Sequence, residues 1–138
     1  MIDKFNGITF LVIFIIHFAA YAFYAFKCVF ATKAFVDQYG MGDGAAIMTR
    51  FFGSMFIGSV LMALYIMFAR PAGLEGTWAF FNLIFLHNLF AFFVGIYSHK
   101  ISTLGVNEKT SIEGIIAPGT LMVLSALLCY GLADKIYY

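Results

Sequence analysis

The segment Ile8–Phe30, ITFLVIFIIHFAAYAFYAFKCVF, decides the fold. At about 1.5 Å per helical residue it covers the ~30 Å hydrocarbon thickness of a bilayer. No charge interrupts it before Lys27. Yet His17, Tyr21, Tyr24 and Cys28 recur at spacings of four, three and four, which lines them along one face of a helix. The segment therefore reads as a membrane-spanning helix with one polar stripe.

The composition extends that reading to the whole chain. Of 138 residues, 63% are apolar and 11% are charged, with 18 Phe. Soluble domains carry about a quarter charged residues, so this chain needs lipid to face its surface. A formal net charge of +1 and the absence of a basic run argue against a nucleic-acid partner. The opening MIDKFNG runs straight into a helix too long for a signal-peptide core, so this span is expected to be retained.

Outward from the first span, ATKAFVDQYGMGDGA reads as a connection, broken by Gly40, Gly42 and Gly44. A second span is expected over 45–69, with Arg50 near its start, where a long side chain reaches the head groups. Ser54 and Gly58 give it a small-xxx-small step that lets another helix approach closely. The third span, 78–98, opens with Trp78 at interface depth, holds Asn82, His87 and Asn88, and offers a second small step at Ala91 and Gly95. The fourth, 112–133, carries Glu113 in its first turn and Pro118 inside, where the missing N–H predicts a kink. Short connections predict one domain over 1–138, an all-α integral membrane protein built as an antiparallel four-helix transmembrane bundle. Cys28 and Cys129 fall late in oppositely directed spans, which argues against a disulfide between them. Lys and Arg number five on the side of the two longer connections and three on the terminal side, which favours the longer connections being cytoplasmic.

The intramembrane polar residues are the functional candidates. His17 and His87 lie roughly 12 and 15 Å along spans that run the same way, so the two imidazoles share a depth. Such a pair can ligate a b-type haem, and one histidine alone can hold the magnesium of a chlorophyll-type pigment. Against this, helices normally pack at about 8–10 Å, too close for a macrocycle between them. The commoner role is a hydrogen bond to a neighbouring Tyr, Asn or backbone carbonyl that helps fix helix packing. Tyr21, Tyr24 and Asn88 are further polar candidates within the spans. His99, beside Lys100 at a span end, is read as interfacial. Arg50 and Glu113 lie near one membrane face, where they are expected to form a packing salt bridge or Arg50 simply to snorkel; the functional alternative is an anionic head-group or quinone-edge site built around Arg50. Asp37 and Asp43 are alternative partners for Arg50.

The chain has no Gly-rich phosphate loop, GxSxG, HExxH or cysteine cluster. Its layout resembles small four-span bacterial membrane proteins with an Arg near the start of the second span. The Glu-Arg-Asn pattern of the membrane-embedded eicosanoid and glutathione family is missing. The expected role is a small non-catalytic subunit, multi-pass in a bacterial inner membrane, packed in the lipid bilayer against other membrane subunits or itself. A haem- or pigment-binding electron-transfer or light-harvesting subunit using His17 and His87 is the first alternative, and a small transporter or channel the second.

Overall fold

α1 (Ile8–Val29) is the helix on which the others are placed. Its buried residues, Leu11, Phe14, His17, Phe18, Tyr21, Ala25 and Cys28, follow a three-to-four-residue step and so form one continuous face. The polar stripe belongs to that face: His17, Tyr21 and Cys28 are wholly buried, and Tyr24 is half-buried. The computed structural model describes residues 1–138, which form helices joined by turns and irregular connections, with no strands. After α1 come α2 (Thr32–Gln38), α3 (Ala46–Leu64), α4 (Trp78–Lys100), α5 (Glu113–Gly131) and the single turn α6 (Ala133–Ile136). Four segments are long and apolar enough to cross a membrane: Ile8–Val29, Asp43–Ala69, Trp78–Lys100 and Glu113–Gly131. By length and composition the chain fits a multi-pass membrane protein whose helices contact lipid.

α1 packs against α3 and against α5, and α4 packs against α5. The end of α1 meets the start of α3 at Gly53, where a Cβ would come within 2.7 Å of Cys28 and Val29 side chains. The start of α1 meets the end of α5, where Gly131 makes room for the Phe10 ring. Between helices in lipid the hydrophobic effect gives little, so association rests on such close van der Waals fits and on hydrogen bonds.

Two backbone irregularities are closed by specific neighbours. Pro118 lies inside α5 and cannot donate to the carbonyl of Gly114, four residues back. Gly95 of α4 packs directly onto that carbonyl, which a side chain there would block. At its far end α3 widens into a π turn, Tyr65–Ala69, with Arg70 N–H bonding the Tyr65 carbonyl at 2.8 Å. Pro71 follows and donates nothing, so the Ile66 and Met67 carbonyls lack helical partners. Lys4 donates its ammonium to both, at 3.0 Å for Met67. Partial burial, then the nearby Arg70 charge, lowers the Lys4 pKa below the ordinary lysine value.

One element departs from the sequence reading. Thr32–Gln38, expected as connection, is a short helix. Thr32 Oγ1 donates to the Cys28 carbonyl at 2.8 Å as the chain turns, and Phe35 and Val36 are buried against the rest of the chain.

Candidate functional site: two polar clusters between the helices

Asn88 on α4 is the hub of the deeper cluster and is almost fully buried. Its Oδ1 accepts the Tyr21 hydroxyl at 2.9 Å. Its Nδ2 lies 3.0 Å from His17 Nε2, 3.3 Å from Ser125 Oγ and 3.4 Å from the Leu121 carbonyl. Ser125 in turn donates to the Leu121 carbonyl at 2.7 Å. One amide thus bonds α1 to α4 and α4 to α5. With Nδ2 donating to Nε2, the His17 proton sits on Nδ1, a buried donor that has no partner. No formal charge enters this cluster. On one side it is sealed by aromatic rings, with Phe14 4.7 Å from Phe18 and Phe18 stacked at 5.6 Å on Phe80.

The second cluster lies at the membrane edge where α1 ends and α5 begins. The Glu113 carboxylate accepts hydrogen bonds from the Tyr24 hydroxyl and the Gln38 side-chain amide, and Lys27 Nζ stands 4.0 Å away. Lys27 also donates to Gln38 Oε1 at 2.6 Å and lies 5.4 to 5.9 Å from the ring centroids of Phe23, Phe35 and Tyr24. α2 carries Gln38 to the cluster. Burial, followed by the Glu113 charge, pushes the phenol of the adjacent Tyr39 up to about 12.

The expected Arg50–Glu113 pair does not form. α3 and α5 each pack on α1, and Glu113 takes its partners from α1 and α2. Arg50 is exposed and donates only to Thr32 Oγ1, at 3.3 Å. The alternative partners Asp37 and Asp43 are held by Lys33, at 2.5 and 3.3 Å, and their hydrogen bonds raise the lysine pKa. Sequence reasoning missed Ser125, Gln38 and Lys27. Lys27 shares a helix face with Tyr24, which is a usable signal. Ser125 and Gln38 gave none.

His17 and His87 are brought near each other but not face to face. The Tyr21 ring is 4.8 Å from the His17 ring and 6.4 Å from the His87 ring. A macrocycle held by both would need their ring nitrogens turned to a common space, and His17 Nε2 is turned to Asn88. As placed, the pair does not fit a haem. His87 is half-buried beside Phe56 of α3, at 6.0 Å, and forms no hydrogen bond within the chain. His99 closes α4 onto the chain leading into α5, with Nδ1 2.8 Å from the Gly95 carbonyl and Nε2 3.3 Å from that of Ser111.

Comparison of the chain with protein-family models, with curated proteins and with solved structures gives no match.

Proposed function

We propose that this chain is a small membrane-embedded packing subunit, one four-span unit over residues 1–138 that associates laterally with other membrane proteins or with itself. The observation that supports this reading is how the intramembrane polar groups are used. Tyr21, Asn88, His17 and Ser125 bond to one another and tie three helices together. Tyr24, Glu113 and Gln38 tie α1, α2 and α5. These are the bonds of a scaffold. The Ser54–Gly58 step, by contrast, is turned outward, with no atom within 4 Å of where a Gly58 side chain would begin. In this reading the spans form an antiparallel bundle, bent at Pro118, in a bacterial inner membrane.

The test is extraction into lipid nanodiscs from the native membrane, followed by native electrophoresis and an absorption spectrum. A colourless assembly heavier than the monomer is expected. Gly58→Leu should weaken that assembly, whereas Gly53→Leu, aimed at Cys28 and Val29, should disrupt the monomer itself. A monomer in nanodiscs, or a Soret band that both His17→Ala and His87→Ala remove, would overturn the proposal.

A further inference from the structure

His87 stands apart from the other polar side chains at the middle depth of the spans. It lies nine residues into α4, about 14 Å from Trp78, near the centre of a bilayer. Serines 54 and 59 and Thr120 on the exposed faces bond back to their own helix carbonyls. His87 has no such partner, and lipid tails offer none. A neutral imidazole carries one donor and one acceptor, so leaving both unmet is costly.

The residues around it form a pattern. Leu83, His87, Phe90, Val94 and Tyr97 are spaced four, three, four and three apart, the 3.5-residue repeat of a helix–helix seam. Leu83, Phe90, Val94 and Tyr97 are each more than half exposed. Apolar side chains alone gain little by leaving lipid for one another, so the polar position sets where such a seam pairs. A two-fold axis along the membrane normal keeps every residue at its own depth, so His87 would meet its own counterpart. An imidazole is complementary to a second imidazole, donor to acceptor.

From these observations, and resting on the lateral-association reading above, we infer that a second copy of this chain docks along the α4 seam, with the two His87 side chains hydrogen-bonded at mid-membrane. The test uses full-length chain with Cys28→Ala and Cys129→Ala, reconstituted in liposomes and followed by disulfide trapping and by energy transfer between labelled copies. Phe90→Cys should trap a dimer, and Val123→Cys on the exposed face of α5 should not. His87→Leu should weaken dimerisation about threefold or more, in the range of one interhelical hydrogen bond. His87→Asn, which keeps a donor and an acceptor, should restore it. A dimer indifferent to His87→Leu, or one trapped through Val123→Cys instead, overturns the seam and leaves lateral association standing. A larger assembly with other chains and no Phe90→Cys dimer does the same. A monomer under every condition removes both.

Discussion

The two polar clusters solve the same problem at two depths with different chemistry. Around Asn88 every group is neutral, and a single amide joins three helices. Around Glu113 an acid and a base sit together, with the carboxylate side chain about one-third exposed. Ionised groups are expensive in hydrocarbon and tolerable where head groups and water share the field. The contrast teaches that the depth of a hydrogen bond governs which residue types can make it. Breaking a bond should therefore matter more as the site becomes drier.

The sharpest break is Asn88→Leu, which strands the Tyr21 hydroxyl and His17 Nε2 in a dry interior. It should cost about 2–4 kcal/mol, since each buried group left unsatisfied costs ~1–3 kcal/mol, and unfolding in mixed detergent micelles would measure it. A loss below that of any edge substitution would count against the hub. Tyr21→Phe removes one bond from the same cluster and should cost about 1 kcal/mol, near the measured range for bonds between membrane helices. Glu113→Gln should cost less than ~1 kcal/mol: Tyr24 and Gln38 donate to different carboxylate oxygens, so the amide oxygen keeps one of those bonds, water replaces the other at this part-exposed edge, and the lost Lys27 attraction is partly screened. Pairing it with Lys27→Met in a double-mutant cycle isolates that attraction, and a large coupling would erase the contrast between the clusters. The last effect is absent at neutral pH and appears only in alkali. Tyr39 has a folded pKa of about 12 against an ordinary value of 10.0. The unfolded chain loses that proton first, so the contribution is intact below pH 10 and fades as the pH rises toward 12. Tyr39→Phe should flatten that part of an unfolding-versus-pH curve, and an unchanged slope would mean that the phenol is not shielded.

The four long helices were legible because unbroken apolar runs bounded by Gly, Pro and charge have few other readings. The inward face of α1 was legible too, because His17, Tyr21, Tyr24 and Cys28 share a helical period. α2 was hidden by its shortness. Its period rests on Thr32, Phe35 and Val36 alone, inside a stretch punctuated by glycines. Asn88 stood out as a polar residue in an apolar span, but its role as a hub depends on residues 33 to 71 positions away in sequence. Arg50 and Glu113 share a membrane face, and depth alone suggested a pair. Which helices are neighbours decided otherwise, and side-chain spacing along one span carries no information about that.

The carbonyl of Gly114, left without a helical donor by Pro118 and covered by Gly95, has a consequence for biosynthesis. An isolated α5 would enter the bilayer with that oxygen bare in its first turn, beside Glu113. Its mean hydropathy, 1.7, is also the lowest of the four spans. α4 is made just before it and brings the glycine that shields this oxygen. The last two spans therefore gain by leaving the insertion machinery together, as a hairpin, and Gly95 is where that partnership is written.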